Sequence, residues 1–338
     1  MAIRNQLLAN IRLVHARLLF PAFLFVISAG SRPPGADLPE AVITNGLVSA
    51  KLYLPDRENG YYRGARFDWA GVISSLEYKN HSYFGKWFEK YDPFLHDAIM
   101  GPVDEFRIPL GFDEAGPGEE FVKVGVGLLR RPDGKPYSFS RKYEVTDSGE
   151  WEVGVTGNRV TFSQKLKSGN GYAYLYEKVV KLAEGEPRLV IEHRLTNTGS
   201  RPITTNTYNH NFFMIDREPT GPGLSTTFGF DIAAEGNGFG DIAYAKDRSL
   251  TFTRQLQKGE HVFCEDLKAV KDTPAPYSFT VENRKTGAGV QVTGSRPVDT
   301  MIYWACPTTA CPEPYINISL KSGEVTEWSI SYEFYAKP

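Results

Sequence analysis

The run YLYEKVVKLAEGEPRLVIEHRLTNT, residues 174–198, shows the pattern from which most of this chain is built. It contains two segments rich in Val, Leu, Ile and Tyr, YLYEKVVKL (174–182) and RLVIEHRLTNT (188–198), with AEGEP between them. β-Branched and aromatic residues that are bounded by Gly and Pro are typical of neighbouring strands joined by a turn. The stretch therefore predicts an antiparallel β-hairpin.

The same pattern recurs along the chain. YSFTVENR and GVQVTG flank KTGA within residues 277–294, and YINISLKSGEVTEWSISYEFY (315–335) has two alternating runs around Lys321, Ser322 and Gly323. No amphipathic run of helical period follows residue 40, and no repeat of 20–50 residues is visible. The sequence predicts an all-β fold, with residues 31–338 forming a single large antiparallel β-sandwich.

The first thirty residues have a different composition. Three arginines and no acidic residue precede LLFPAFLFVISAG (18–30), an apolar run that ends in small residues. A basic segment, a short apolar segment and small residues are the pattern of a secretory signal peptide, and the run is short for a membrane span. We expect residues 1–30 to be a signal peptide, the mature chain to have no membrane span, and the location to be periplasmic or secreted. A buried N-terminal helix is the alternative.

Charge and cysteine content exclude some classes of function. The formal net charge is −2 and no basic stripe stands out, which argues against nucleic acid as a partner. Cys306 and Cys311 bracket CPTTAC, where an oxidising compartment permits a disulfide, although two reduced thiols remain the alternative. That spacing without a second Cys or His pair is a poor zinc signature, so we expect no metal site.

The segment TNTYNHNFFMID, residues 205–216, concentrates residue types that carry chemistry. If it is a strand, Tyr208, His210 and Phe212 share one face, and Asn209 lies on the other. An imidazole beside aromatic rings suits a sugar, which offers an apolar C–H face and a rim of hydroxyls. The alternative is a core strand whose histidine satisfies a buried carbonyl group.

TYNHNFF resembles the signature strand of the aldose 1-epimerase (galactose mutarotase) family, in which an Asn-His pair is followed by an aromatic residue. Three further segments are similar to that family in the same order: GARFDWAGVISSLEYKNHSYF (64–84), LHDAIMGPVDEF (95–106) and ACPEPYINISLKSGEVTEWSISYEF (310–334). The single arginine of GARFDWAG and the aspartate after His96 depart from the family pattern and indicate a divergent member. The resemblance implies the family's large β-sandwich, the galactose mutarotase-like supersandwich.

The resemblance also implies a reaction, the interconversion of sugar anomers by acid–base opening of the pyranose ring. His210 would protonate the ring oxygen and Glu313 would take the proton of the C1 hydroxyl. His96 and Arg66 would hydrogen-bond the sugar, with Arg63 as the alternative arginine. Further candidates for sugar contacts are Tyr208, Asn209 and Glu105. The expected partner is a monosaccharide or the sugar end of a glycan, and proton transfer alone calls for no cofactor.

Two other classes of function stay open. A non-catalytic carbohydrate-binding or envelope glucan-assembly protein could use the same fold, and a polysaccharide-cleaving enzyme could use a related sandwich. Pro312 and Pro314 flank Glu313 and predict that it lies outside regular structure, where it could be a solvated loop carboxylate.

Overall fold

The computed structural model describes residues 38–269 and 277–337, and strands dominate these two ranges. One short 3-10 turn, Ile215–Arg217, interrupts them. In chain order the strands are β1 (Glu40–Thr44), β2 (Val48–Tyr53), β3 (Val72–Tyr78), β4 (His81–Phe84), β5 (Val103–Phe106), β6 (Glu120–Lys123), β7 (Gly127–Arg130), β8 (Glu144–Asp147), β9 (Glu150–Thr156), β10 (Arg159–Lys167), β11 (Ala173–Leu182), β12 (Arg188–Asn197), β13 (Ile203–His210), β14 (Leu224–Phe228), β15 (Ile232–Ala233), β16 (Ala243–Lys246), β17 (Ser249–Phe252), β18 (Val262–Cys264), β19 (Lys268–Ala269), β20 (Ser278–Asn283), β21 (Ala288–Gly294), β22 (Thr300–Cys306), β23 (Thr309–Leu320) and β24 (Val325–Ala336).

The hairpin predicted for residues 174–198 is confirmed. Strands β11 and β12 pair antiparallel from Tyr174 opposite Asn197 to Leu182 opposite Leu189. Alternate side chains along both strands are buried, because successive residues of a strand point to opposite faces of the sheet. The hairpin over residues 277–294 is also present, as β20 paired with β21.

Two large sheets organise the described residues. A ten-stranded sheet has the order β16-β17-β14-β20-β21-β24-β12-β11-β10-β9, and a five-stranded sheet has the order β18-β22-β23-β13-β5. Smaller sheets have the orders β1-β2-β3-β4, β6-β7-β8 and β15-β19. All of these strand pairs are antiparallel, so the all-β prediction is correct.

The last two strands correct one expectation from the sequence. The two alternating runs around Lys321, Ser322 and Gly323 have the pattern of a hairpin, but β23 and β24 belong to different sheets. Strand β23 pairs with β13 and β22, whereas β24 lies between β12 and β21. The turn at Lys321–Glu324 therefore carries the chain from one sheet to the other.

A hydrophobic core lies between the ten-stranded and five-stranded sheets. Its side chains come from both, including Tyr176 and Trp328 of the larger sheet and Phe106, Ile316 and Ile318 of the smaller one. Alternate residues of β13 therefore have different surroundings. The odd-numbered residues face this core, and the even-numbered residues face away from the ten-stranded sheet. The second set carries the site.

Buried charges accompany the apolar side chains between these sheets. Lys178 of β11 lies 2.6 Å from the Asp104 carboxylate of β5 and 3.2 Å from Asp68. His193 of β12 contacts the same Asp104 oxygen at 3.0 Å. All four side chains are at most 1% exposed, so a single network of opposite charges joins the two sheets.

Three further expectations concern the signal peptide, a membrane span and the two neighbouring cysteines. The signal peptide predicted for residues 1–30 lies outside the described part of the chain. Among the described residues, no helix has the length and apolar composition needed to cross a membrane. Cys306 and Cys311 are free thiols, opposite Thr309 and Trp304 in the β22–β23 ladder, so the structure has reduced cysteines and no disulfide at these positions.

Candidate functional site

One face of the five-stranded sheet, which we call the site face, brings together most of the predicted side chains. The cross-strand partners Tyr208 and Tyr315 point to it, as do Glu105, which is opposite Tyr208 on β5, and Ile302, which is opposite Glu313 on β22. The face consists of Glu105; Asn206, Tyr208 and His210; Glu313, Tyr315 and Asn317; and Ile302 and Trp304. It is assembled by register, because opposite residues of paired strands share a face.

His210 and Glu313 meet on the site face. The Nε2 atom of His210 lies 3.3 Å from Oε1 of Glu313, and the two side chains are 6% and 5% exposed. The prediction that Glu313 lies outside regular structure is wrong. It is a residue of β23 despite its flanking prolines, and Tyr315 donates a hydrogen bond to its other oxygen at 3.4 Å.

Burial moves the pKa values of these two groups in opposite directions. It raises the pKa of the Glu313 carboxyl to about 8, against the lowering effect of the Arg66 charge. Burial lowers the pKa of His210 well below its usual value, and repulsion from Arg66 lowers it further. Near neutral pH the pair therefore holds one proton, which is on Glu313. A buried acid and base with opposed shifts are typical of proton-transfer sites.

Arg66 lies at the centre of the charged groups on this face. Its Nε donates to Glu105 Oε2 at 2.8 Å, its Nη2 donates to the Tyr208 hydroxyl at 3.1 Å, and its Nη1 pairs with Asp97. The guanidinium carbon lies 4.4 Å from the ring centroid of Phe67 and 4.3 Å from that of Phe139. These contacts fix the guanidinium group beside Tyr208 and Glu105.

Glu105 is a fully buried carboxylate that is held ionised. Tyr208 donates to it at 2.6 Å, and Lys123 Nζ, also buried, lies 3.1 Å from its other oxygen. Burial alone would raise the pKa of the Glu105 carboxyl, but the charges of Lys123 and Arg66 lower it to about 2. Glu105 therefore acts as a fixed negative charge that orients Arg66 and Tyr208.

Aromatic rings enclose His210. Phe212 stacks on the imidazole with ring centroids 3.8 Å apart and planes 7° apart, and Phe67 and Trp304 meet it edge-on at 5.7 and 5.6 Å. Phe212 has a φ of 41°, because β13 ends at His210 and the chain turns sharply there. The prediction that Phe212 shares the face of His210 holds for the ring position, although Phe212 is past the end of the strand.

His96 reaches the cluster through its neighbour. Its Nε2 lies 2.9 Å from Asp97 Oδ2, and Asp97 in turn pairs with Arg66. The ring of Phe139 lies 5.9 Å from that of His96, and Phe139 is 46% exposed. His96, Asp97 and Phe139 therefore form a rim beside Arg66.

Two predicted sugar contacts are not part of this cluster. Asn209 points to the opposite face of β13, where it donates to Asp104 at 2.7 Å and lines a cavity between the two large sheets. The interpretation of Asn209 as a sugar ligand is corrected, because strand alternation turns it toward the core. Arg63 donates to the Glu58 carbonyl oxygen and lies over Phe94, so Arg66 is the arginine at the site.

Several residues of the site were not identified from the sequence. Tyr315 could have been found, because it lies two residues after Glu313 and shares its face once that segment is a strand. Lys123 and Trp304 could not, since only the sheet register brings their strands to the site. Among residues 38–269 and 277–337, no group of three His, Cys, Asp or Glu side chains is placed to hold a metal ion.

Comparison with known proteins adds the fold relationship. No protein-family model and no curated protein sequence matches the chain. Solved structures do: an aldose epimerase homologue from C. elegans has a TM-score of 0.56 and 16% identity, covering 89% of this chain and 99% of that one. A putative aldose 1-epimerase from Escherichia coli K12 has a TM-score of 0.52 and 13% identity, covering 89% and 100%.

A third structure agrees with these two. Galactose 1-epimerase from Lactobacillus acidophilus NCFM has a TM-score of 0.51 and 11% identity, covering 91% of this chain and 98% of that one. At such identities the similarity establishes the fold. The chain has the galactose mutarotase-like β fold, which confirms the fold that the resemblance implied and is consistent with a divergent member.

Proposed function

We propose that this protein is an aldose 1-epimerase-type isomerase that interconverts the anomers of a sugar. The observation that carries the proposal is the buried His210–Glu313 pair, whose pKa values shift in opposite directions beside Arg66. Mutarotation needs one group that gives a proton and one that takes a proton, and no other chemistry. The galactose mutarotase-like fold supports this reading.

The proposed reaction follows from those two groups. Glu313 takes the proton of the C1 hydroxyl while His210 gives a proton to the ring oxygen, and the bond between C1 and the ring oxygen breaks. Rotation about the C1–C2 bond turns the aldehyde. As the ring closes with the opposite configuration, Glu313 gives its proton to the carbonyl oxygen of C1, and His210 takes back the proton of the hydroxyl that becomes the ring oxygen. Each is expected to contribute on the order of 10²–10⁴-fold to the rate.

The single proton of the pair must move for these roles to apply. It is on Glu313 in the free site, and the proposed opening step starts with it on His210. A sugar hydroxyl that donates a hydrogen bond to Glu313 stabilises the ionised carboxylate and so favours transfer to His210. The sugar has to come between the two side chains, because they act on different oxygens of one ring. Their 3.3 Å contact is then the arrangement of the free site.

The surrounding groups bind and orient the sugar in this proposal. Arg66 and His96 donate hydrogen bonds to sugar oxygens, and the Tyr208–Glu105 contact keeps Arg66 in place. Trp304, on the site face and only partly buried, offers an apolar surface to the C–H face of the ring.

A non-catalytic sugar-binding protein on the same fold is the alternative. The observation that favours it is the enclosure of His210 and Glu313, which are 6% and 5% exposed and contact each other. An enclosed pair of this kind could instead stabilise the site face without touching a substrate.

Polarimetry of freshly dissolved α-glucose and α-galactose tests the proposal. The chain is expected to accelerate mutarotation above the rate in buffer, and His210→Ala is expected to abolish that acceleration. His261→Ala, a change at an exposed histidine, is the matched control. No acceleration by the intact chain, together with measurable sugar binding, would support the non-catalytic alternative. New reducing ends released from polysaccharides would support a cleaving enzyme.

We also propose that the mature protein acts outside the cytoplasm, on a free sugar or the sugar end of a glycan. The basic and apolar composition of residues 1–30 supports this. Fractionation of the native host, with N-terminal sequencing, is expected to find a chain that begins near Gly30 or Ser31. A soluble cytoplasmic chain that begins at Met1 would contradict it.

A further inference from the structure

Arg107 lies beside the site face and forms no ion pair with the residues that the structure describes. Arg107 follows the last residue of β5, and its backbone N–H donates to the Asn206 carbonyl oxygen at 2.9 Å, so the ladder with β13 continues to it. Two residues after Glu105, it points toward the site face. Its guanidinium carbon lies 5.8 Å from the ring centroid of Tyr315, and the residue is exposed. Within residues 38–269 and 277–337, no carboxylate lies at ion-pair distance from it.

The described ion pairs beside the site face do not include Arg107. Arg66 and Lys123 are balanced by Asp97 and Glu105, with which they form ion pairs. Glu313 does not balance a further cation near neutral pH, because its raised pKa keeps it largely protonated. Arg107 therefore remains outside the described ion pairs. Asp299 also lies at this end of the face, where its carboxylate accepts the backbone N–H of Asn317 at 2.6 Å.

The spacing between Glu313 and Arg107 along the site face limits the size of a ligand that could contact both. Tyr315 hydrogen-bonds Glu313 and lies two residues further along β23, a rise of about 7 Å. Arg107 lies over the Tyr315 ring, and the Tyr315 ring stacks on Tyr208 with centroids 4.1 Å apart. The separation between Glu313 and Arg107 is therefore comparable with the length of one pyranose ring and its exocyclic substituent.

A polar acceptor lies at the same end of the face. The Oδ1 atom of Asn206 is buried and has no hydrogen-bond partner among the described residues. Asn206 is opposite Asn317, an exposed amide on β23. A buried amide oxygen without a partner is costly, and a ligand hydroxyl would satisfy it.

We propose that the substrate is an anionic aldose whose carboxylate or phosphate lies at the end of the ring away from C1, and that Arg107 binds this oxyanion. Guanidinium groups pair with carboxylates and phosphates through two parallel hydrogen bonds, which gives both affinity and orientation. Asn206 accepts a hydroxyl of the same sugar. The inference deepens the proposed function, since it names the substrate class of the same site.

Isothermal titration calorimetry tests the inference without relying on catalysis. The probes are glucose, glucuronate, glucose 6-phosphate and inorganic phosphate, titrated into the full chain. We expect the tighter of the two anionic sugars to bind at least about tenfold more tightly than glucose, and the preference to shrink with added salt. Comparing the two anionic sugars shows whether the carboxylate or the phosphate is the natural group. Inorganic phosphate alone is expected to bind weakly and to compete with the anionic sugar.

Variants at position 107 assign the preference to this side chain. Arg107→Ala is expected to remove the preference, and Arg107→Lys to keep part of it as a point charge without the two-bond geometry. Arg159→Ala, at an exposed arginine of β10, is the matched control and is expected to keep it. Equal binding of glucose and both anionic sugars, a preference that survives Arg107→Ala, or no sugar binding at all would overturn the inference.

The same titrations separate this inference from the proposed reaction. If the chain binds an anionic sugar through Arg107 but accelerates no mutarotation, the inference stands and the proposed reaction fails. If it accelerates mutarotation of glucose and shows no preference for the anionic sugars, the reaction stands and the inference fails.

Discussion

At the scale of single residues, the chemistry depends on burial acting on two side chains of opposite type. Transfer from water to a low-dielectric site disfavours the charged form of each, which raises the pKa of an acid and lowers that of a base. Glu313 and His210 respond in these two directions, and Arg66 opposes the first shift and adds to the second. The pair is therefore neutral with one proton over a broad pH range.

The pH range over which the His210–Glu313 pair holds one proton predicts how the mutarotation rate depends on pH. In the proposed reaction the active pair holds one proton, so kcat/KM should be flat from about pH 6 to pH 7 and fall tenfold per unit above about pH 8, where Glu313 ionises. On the acid side, activity should be lost only where the pair gains a second proton, on His210, at a pH well below the usual pKa of a histidine. Polarimetry across this range, corrected for the rate in buffer, measures the profile. Activity that rises through pH 8 would show that the ionised pair is the active form.

The sequence predicted the types of the site residues better than their surroundings. Alternation indicated that Tyr208 and His210 share a face, and the family resemblance added Arg66. The structure brings the three side chains together. Alternation placed Asn209 on the face opposite His210, as the structure has it, but a run that is polar on both sides does not show which face is the core, so Asn209 was still taken as a candidate sugar contact. The raised pKa of Glu313 could not be predicted, since it depends on burial by residues from distant strands.

At the scale of elements, the end of β13 is held by a close approach of two backbones. A Cβ atom built on Gly101 would lie 2.6 Å from the carbonyl oxygen of His210 and 2.9 Å from that of Asn211. No side chain larger than hydrogen fits there without a shift of the segment that precedes β5. Gly101 thus sets where His210 ends its strand and where Phe212 can stack on it.

Gly101→Ala is therefore expected to displace the backbone of His210, although Gly101 itself is not on the site face. Relieving the contact by a backbone shift should cost about 1–3 kcal/mol of the free energy of unfolding. Displacement of His210 by about 1 Å should lower the mutarotation rate by up to about 10²-fold. Urea unfolding and polarimetry measure the two effects. Gly169→Ala, where no other heavy atom lies within 4 Å of the added Cβ, is the control. Wild-type values for both measurements in Gly101→Ala would mean that the position has more room than this geometry allows.

The strands themselves were predictable where the local signal was strong. The hairpins at residues 173–197 and 278–294 follow from alternation and turn residues alone. Glu313 was placed outside regular structure because Pro312 and Pro314 break the hydrogen-bond ladder locally. Pairing of Pro312, Glu313 and Pro314 with β22, and of β23 with β13 from Tyr315 onward, keeps the segment extended in spite of them.

At the scale of the whole molecule, buried charges join the two large sheets. Lys178 of the ten-stranded sheet contacts Asp104 of the five-stranded sheet and also Asp68. Burial works against ionisation of Asp104, but the charges of His193 and Lys178 lower its pKa well below the usual range. Asp104 and Glu105 are adjacent on β5, so one strand supports the sheet contact on one face and the site on the other.

Lys178→Met is expected to lower the free energy of unfolding by about 3–5 kcal/mol, because it leaves the buried Asp68 without its cation and Asp104 with His193 alone. Lys181→Met, three residues further along β11, is the matched control. The Lys181–Glu192 pair is partly exposed, and its loss should cost at most about 1 kcal/mol. Urea unfolding of both variants gives the comparison. Equal losses would show that the buried network contributes no more than a surface ion pair.

The order of strands in the ten-stranded sheet could not be predicted from the sequence. Strand β24 lies between β12 and β21, far from both along the chain, and no local signal records such pairing. The all-β class could be predicted, because the period of two and the turn residues recur throughout. The resemblance supplied the architecture that local patterns could not.

The most direct test of the central claim is the mutarotation rate of Glu313→Gln. Anomeric exchange of glucose and glucuronate at equilibrium, followed by NMR, gives this rate for the intact chain and the variant. The change keeps the size of the side chain and removes its ability to take a proton. We predict a loss of at least about 10²-fold with no loss of thermal stability, since the buried carboxyl is proposed to serve catalysis and not folding. A variant that keeps the full rate would contradict the assignment of Glu313 and His210 as the proton-transfer pair.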